Sequence, residues 1–411
     1  MEKVYGLLGR KLGHSWSAPI HHQLGCPGYR LIELEPEELP AFLQREDIGG
    51  LNVTIPYKRE VMPYCDGIDE AARLIGSVNT LVRRADGKLY AYNTDAAGFC
   101  YMARRAKIGF AGQKVLVLGS GGASLTARAM ARKMGAREVV VISRTGADNY
   151  GNLHRHADAA LLVNTTPVGM YPNTGEAPVD VSRFPALEGV LDVIYNPART
   201  QLLLDCEKLG IPAFNGLWML VAQAKQSAQW FLDTPLPDSL VADIHGKLRS
   251  QMENIVLIGM AGCGKSTIGR LLAKETGKTF RDADAQLEKL AGRTIPEIFA
   301  RDGEAEFRRL ETAVLSELGK QSGLVIATGG GCVTRGENHP LLHQNGRILW
   351  IRRDPGKLPT AGRPLSQKTD PAVLYEQRKP LYAAFADAAV ENEGTLGEVL
   401  TAILNMQEVK E

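Results

Sequence analysis

The sequence predicts an α/β chain, and three observations carry that prediction. Residues 254–267, NIVLIGMAGCGKST, run from an apolar strand through a glycine-rich turn into a helical pattern. Lys114–Leu118 is a second apolar strand that also opens onto a glycine-rich turn and a helix. Around these two landmarks short apolar runs alternate with amphipathic stretches, the order that a doubly wound parallel sheet requires.

A length of 411 residues suits two or three domains, each with its own core. A hydrophobic content of 44% and a charged content of 23% are those of ordinary globular proteins. The formal net charge of +2 gives no reason to expect nucleic acid or an anionic membrane surface as partner. Apolar runs such as 115–118 and 139–142 are strand-sized, so no membrane span is expected. The first fifteen residues lack a signal-peptide core, and six cysteines lie scattered without a C-x-x-C pair. A cytoplasmic location without disulfides or structural zinc is the expectation.

Residues 4–8 read as the first strand. Ser15 and Ser17 follow at the entrance to a helix over 18–24. Two hydroxyls two apart suit a carboxylate-binding turn, although a plain N-cap is the commoner use. Residues 50–58, GLNVTIPYK, form a strand that ends at a proline, with Thr54 inside it and Lys58 just beyond. Alone, such a lysine is ordinary solvated surface. Asn79 in GSVNT and Asp95 in YNTDAAG then stand at the ends of short strands, where ligand sites collect. A Lys58–Asp95 pair among amides and hydroxyls suits a polyhydroxylated substrate whose carbonyl oxygen must receive a proton.

After Lys114–Leu118 come Gly119, Ser120, Gly121, Gly122, Ala123 and Ser124, with a helix expected over 125–134. This resembles the dinucleotide fingerprint, with Ser124 where the third glycine usually sits. Glu138–Ile142 ends at Ser143, Arg144 and Thr145, the ribose-reading position, where NAD-specific enzymes carry an acid. Arg144 in that place removes repulsion and offers a partner for a 2′-phosphate, favouring NADP(H). Asp148 lies nearby and works against this. Strands over 159–164 and 189–194 continue the sheet, Tyr195 follows the second of them, and Gly216 opens a helix to about 232 that carries Gln223.

In this order these clusters resemble shikimate dehydrogenase over roughly residues 1–250. The resemblance implies a substrate domain of residues 1–101 plus 217–250, with a Rossmann NADP-binding domain of 102–216 inserted. It assigns Ser15 and Ser17 to the substrate carboxylate, and Thr54, Asn79, Asp95 and Gln223 to the ring hydroxyls. Lys58 matches the catalytic lysine, acting beside Asp95, and Tyr195 a tyrosine near the substrate. Glu70, Gly119, Ser120, Gly121, Gly122, Ala123, Ser143, Arg144, Thr145 and Gly216 fall where the family binds NADP. Two positions depart from the pattern: Asp148 stands where another basic residue is usual, and Ala96 where glycine often follows the Asn-Thr-Asp run.

Pro235, Pro237 and Ser239 precede an amphipathic helix over 240–248, expected to close the first half and leave a connector of about 250–253. Beyond it, 259–266 match G-x-x-x-x-G-K-[ST] in the strand–turn–helix context of a P-loop. Gly262, Cys263, Gly264 and Thr267 supply a phosphate cradle, Lys265 reaches the outer phosphates, and Ser266 is an Mg²⁺ ligand. Asp282 and Asp284 end the next strand, suited to a magnesium-bound water and to an acceptor hydroxyl, though an isolated Asp-x-Asp is more often a surface turn. Arg308 and Glu311 are i,i+3 neighbours, which by themselves read as an exposed ion pair. Residues 325–331 run a strand into bare glycine backbone, and Arg363 and Arg378 follow in later segments.

Together these resemble shikimate kinase over 253–411, which implies a P-loop NTPase α/β domain of the nucleoside monophosphate kinase type. Asp284, Arg308, Gly330 and Arg378 match its shikimate-binding set, and Arg363 its lid arginine over ATP. The lid, around 359–362, is shorter than is common. Asp284 is the candidate base, and Lys265, Mg²⁺ and Arg363 the charge-neutralising set. The combined expectation is a bifunctional enzyme that reduces 3-dehydroshikimate to shikimate with NADPH and then phosphorylates shikimate with ATP, on the route to chorismate and the aromatic amino acids. The alternative is a quinate/shikimate dehydrogenase using NAD, fused to the same kinase. Two further rivals are a half without turnover that serves as a sensing module, and a kinase for another small alcohol such as gluconate. Expected partners are small molecules and, beyond them, a second copy of the chain in a homodimer. Fusion of consecutive steps raises direct transfer between the sites as a hypothesis.

Overall fold

The computed structural model describes residues 3–13, 15–358 and 370–407. The chain divides into two compact units. One comprises Met1–Val168, Ala177–Tyr195 and Asp205–Lys247, the other Gly169–Glu176, Asn196–Leu204 and Leu248–Glu411.

Two sheets lie in the first unit. Strands β1 (Val4–Gly9), β2 (Tyr29–Glu33), β3 (Ile48–Val53), β4 (Gly67–Ile68), β5 (Thr80–Arg83) and β6 (Leu89–Tyr92) are ordered β2-β1-β3-β5-β6-β4. β1 runs parallel to β2 and β3, while β5 is antiparallel to β3 and β6. Every residue of β3 is buried, as an interior strand covered on both faces must be. Its Ile48, Leu51 and Val53 pack with Leu8, Leu81 and Leu89.

The second sheet is wholly parallel. It contains β7 (Lys114–Leu118), β8 (Glu138–Ile142), β9 (Leu161–Asn164), β10 (Gly189–Asp192) and β11 (Ala213–Phe214), in the order β11-β10-β9-β7-β8. β8 lies on one side of β7 and β9 on the other. The carboxyl end of β7 is therefore the switch point at which open α/β sheets take ligands. The helix expected from 125 begins at Gly122, with Gly121 in the N-cap position. Small residues at 119–123 make the glycine-rich turn part of the helix's own first turn. Leu217–Leu232, which carries Gln223, packs against Asp95–Arg105 and Ser17–Gln23.

The second unit repeats the logic with β12 (Asn254–Ile258), β13 (Thr279–Asp282), β14 (Leu324–Ala327), β15 (Gly346–Arg352) and β16 (Ala388–Glu391). All are parallel, in the order β13-β14-β12-β15-β16. Central β12 is buried throughout, and its end opens into the P-loop. The closing helix expected over 240–248 spans Ser239–Met252. Met252 buries its side chain and Glu253 N–H still donates to Arg249 O at 2.8 Å, so the expected connector is helical almost to β12. Among the described residues no helix is long and apolar enough to cross a membrane, and the six cysteines are free.

Candidate active sites

Lys58 and Asp95 come from separate segments of the first sheet's surroundings and meet in space. Lys58 lies beyond β3, and Asp95 opens the helix that follows β6. Lys58 Nζ donates to Asp95 Oδ2 at 2.6 Å, with both groups largely shielded from solvent. The lysine is thus fixed by a carboxylate and is not a free surface chain.

Behind this pair lies a connected set of amides and hydroxyls. Asn79 is buried, and its Oδ1 accepts from Thr94 N–H at 2.7 Å and from the Thr80 hydroxyl at 3.1 Å. Thr94 Oγ1 in turn lies 3.4 Å from Gln223 Oε1, and Gln223 Nε2 donates to Leu220 O. Thr94, which the sequence reading did not single out, thereby links two expected substrate residues from distant segments. Ser15 Oγ and Ser17 Oγ are 3.1 Å apart, and Ser17 N–H donates to Ser15 Oγ. Thr54 N–H bonds to Leu8 O at the end of β1. Burial raises the Tyr195 phenol above its ordinary range.

At the end of β7 the glycine-rich turn offers open backbone. A Cβ on Gly121 or Gly122 would meet nothing within 4 Å, so this helix N-terminus has room for a phosphate group. Ser143, Arg144 and Thr145 follow β8, and Arg144 and Thr145 are exposed. Gly216 caps the helix Leu217–Leu232. Glu70 begins the helix Glu70–Ile75 and lines a groove of about 730 Å³ with Leu125, Arg128 and Arg132.

The second unit gathers a cavity of about 270 Å³ around the P-loop, lined by Gly262, Gly264, Lys265, Ser266, Asp282, Asp284 and Gly330 among others. Gly262 and Gly264 take φ of 84° and 102°, which an L side chain would strain. The buried Lys265 ammonium donates to Gly259 O at 2.8 Å and Met260 O at 2.9 Å. Ser266 Oγ donates to Asp282 Oδ2 at 2.7 Å, while Asp282 Oδ1 accepts from Asp284 N–H and caps the next helix. The Asp-x-Asp pair is therefore wall of the cavity and not a surface turn.

Asp284 stands at the junction of all these charges. Burial pushes its carboxyl up to about 6, the Lys265 ammonium opposes that, and Asp282 and Glu311 reinforce it. Arg308 and Glu311 are not the exposed pair that their spacing alone suggests. Their 2.7 Å bridge is buried, and Glu311 Oε1 is buried with no hydrogen-bond partner. Helix Gly303–Lys320 packs this face inward, against the bare backbone of 329–331. A Cβ on Gly329 would come within 2.9 Å of both Glu311 Oε1 and Asp284 Oδ1. Arg378 Nη1 donates to Gly330 O at 3.2 Å, and the Tyr382 hydroxyl donates to the same oxygen.

A neighbouring cavity, also of about 270 Å³, is walled by Gly264, Thr267, Arg353, Lys357, Asn392, Glu393 and Leu396. Asn392 Nδ2 donates to Cys263 O at 2.7 Å and ties this wall to the P-loop. These later residues carried no motif; they converge only once β15 pairs with β12 and β16 with β15. Arg363 and the expected lid at 359–362 lie outside the described residues.

Two family models match the chain: that of the shikimate dehydrogenase substrate-binding domain over residues 7–81, and that of shikimate kinase over 261–408. A shikimate dehydrogenase (NADP(+)) of Clostridium perfringens is 34% identical over 268 residues, 60% of this chain and 98% of that protein. Among solved structures, a chorismate mutase/shikimate 5-dehydrogenase fusion protein from Clostridium acetobutylicum aligns at 35% identity and a TM-score of 0.57, over 60% of this chain and 97% of the other. The shikimate 5-dehydrogenase of Listeria monocytogenes, in complex with shikimate and NAD, aligns at 26% identity and a TM-score of 0.53, over 59% and 96%. This chain belongs to the shikimate dehydrogenase family through its N-terminal segment, and a shikimate kinase domain follows in the same polypeptide.

Proposed function

We propose that the first unit reduces 3-dehydroshikimate to shikimate with NADPH, and that the second phosphorylates shikimate to shikimate 3-phosphate with ATP and Mg²⁺. The observation that carries this reading is that each unit holds both an acid–base pair and a glycine-rich turn suited to phosphate: Lys58–Asp95 and 119–123 in the first, Lys265–Asp284 and 259–266 in the second. The domain limits follow the family: 1–250 for the dehydrogenase, with 102–216 as its NADP-binding part, and 253–411 for the kinase.

In the first unit Ser15 and Ser17 hold the substrate carboxylate, and Thr54, Asn79, Asp95 and Gln223 receive ring hydroxyls. That fixes the ketone in one orientation. NADPH, held by the turn at 119–123 and by Arg144, supplies the hydride. Lys58, kept in place by Asp95, stabilises the charge that develops on the carbonyl oxygen and delivers the proton to it.

In the second unit the two oxygens of Ser266 and Asp282 fit Mg²⁺, which takes few protein ligands beside phosphate and water. Bound there, Mg²⁺ neutralises phosphate charge. Arg308 and Arg378 hold the shikimate carboxylate as a cationic pair. Asp284 accepts the proton of the attacking hydroxyl, and Lys265 stabilises the transferring group.

One incubation tests the whole reading: purified protein with 3-dehydroshikimate, NADPH, ATP and Mg²⁺, products identified by mass spectrometry. Shikimate 3-phosphate is expected only when both nucleotides are present. Shikimate accumulating without its phosphate would remove the kinase assignment, and no oxidation of NADPH would remove the dehydrogenase assignment.

A further inference from the structure

The loop after β8 carries one acidic residue, Asp148, between Arg144 and the short 3-10 turn Leu153–His156. An acid beside a 2′-phosphate site is unfavourable, and an acid facing the ribose is how such loops select NAD. The structure turns this acid elsewhere. His156 Nε2 lies 3.0 Å from Asp148 Oδ1, and the His156 ring is buried. A carboxylate oxygen can only accept, so the Nε2 nitrogen carries the proton. His156 Nδ1 is buried and has no hydrogen-bond partner, so Asp148 is the bond that the ring makes.

The rest of the loop is braced around that bond. Asn149 N–H donates to Asn152 Oδ1, Asn149 Nδ2 to Gly146 O, and Asn152 Nδ2 to Ala147 O. Ser143 N–H donates to Asp148 O, closing the loop on its own entrance. Arg144, by contrast, is exposed, and none of the hydrogen bonds and ion pairs among the described residues involves it. His154 and Arg155, the other basic residues of the 3-10 turn, are exposed.

We propose that His156 is the positioning residue that sets nucleotide preference in this chain: it holds Asp148 in a hydrogen bond, withdraws the loop's acid from the ribose site, and leaves Arg144 as the charge that receives a 2′-phosphate. This rests on the proposed reading of 143–145 as the loop that meets the adenosine ribose.

The test compares steady-state kinetics of the full chain with NADPH and NADH for wild type, His156→Leu, His156→Gln, the double variant His156→Leu/Asp148→Asn, and Arg144→Ala. In His156→Leu, KM for NADPH is expected to rise about fivefold, the size of one exposed like-charge contact. KM for 3-dehydroshikimate and kcat at saturating NADPH stay unchanged. Removing the freed charge in the double variant restores the wild-type NADPH to NADH ratio, and His156→Gln, which keeps a donor, behaves as wild type. Equal losses with both nucleotides, or no recovery in the double variant, would assign His156 a merely structural role and overturn the inference. If Arg144→Ala collapses the ratio while His156→Leu leaves it, this inference alone falls. If Arg144→Ala also leaves the ratio unchanged, the loop reading falls with it.

Discussion

Asp284 is placed where a base is useful and a charge is costly. Its carboxyl is raised from 3.8 to about 6, chiefly by burial. A base must be ionised to accept a proton, so kcat/KM for shikimate phosphorylation should fall roughly tenfold per pH unit below about pH 6. The stability linkage runs the other way. Because the folded pKa exceeds the unfolded one, ionisation opposes folding: the group's stabilising share is complete below pH 3.8 and is lost as pH rises through about 6. At pH 7.5 the ionised form therefore costs on the order of 2–3 kcal/mol. Asp284→Asn should abolish kinase turnover, yet raise the melting temperature of the transition that ATP and Mg²⁺ stabilise. That gain should fade toward pH 4; calorimetry across pH checks it, and a lower melting temperature at pH 7.5 would refute the burial argument. The sequence already named Asp284, Lys58 and Asp95. What it could not give was Glu311, because an i,i+3 Arg–Glu spacing reads alike on a solvated and on a buried helix face.

At the scale of elements, the segment after β14 shows how bare backbone assembles a site. Gly330 and Gly331 are neighbours, but their hypothetical side chains meet different things. A Cβ on Gly330 would lie 2.7 Å from the backbone nitrogen of Ala261 in the P-loop, whereas one on Gly331 would drive into the Arg308 guanidinium. Neither glycine has a positive φ, so alanine strains no backbone and acts through space alone. Gly331→Ala should therefore raise KM for shikimate by about 10- to 100-fold, as loss of one charged hydrogen-bonding partner implies, with KM for ATP little changed. Gly330→Ala should instead raise KM for ATP. Initial-rate kinetics over both substrates separate the two, and identical profiles would remove this distinction. Elements themselves were legible where the apolar run was continuous: Lys114–Leu118 and Glu138–Ile142 are strands over those same residues. The cavity wall of Arg353, Lys357, Asn392 and Glu393 was not legible, since its residues are polar, ordinary in sequence and joined only by the order of β12, β15 and β16. Likewise the helix Ser239–Met252 outran its expected end because Met252 finds a buried place that the local pattern does not record.

At the scale of the whole molecule, each unit has its own sheets, its own buried core and its own reacting groups. No residue assigned to one reaction is needed by the other, so the two activities should respond to substitution independently. Lys58→Ala removes the proton donor and should lower dehydrogenase kcat by about 10²–10⁴ while leaving phosphorylation of added shikimate intact. Lys265→Ala removes the ammonium at the transferring phosphate and should lower kinase kcat by about 10²–10³ with reduction of 3-dehydroshikimate unchanged. Mixed in equal amounts, the two variants should convert 3-dehydroshikimate to shikimate 3-phosphate after a lag in which free shikimate builds up. The intact chain at matched concentrations of each working site should show the same lag, as expected of two sites that share no residue. Time courses by mass spectrometry decide between this and direct transfer: product forming without a lag in the intact chain, but with one in the mixture, would mean that joining the two enzymes in one chain delivers shikimate from site to site.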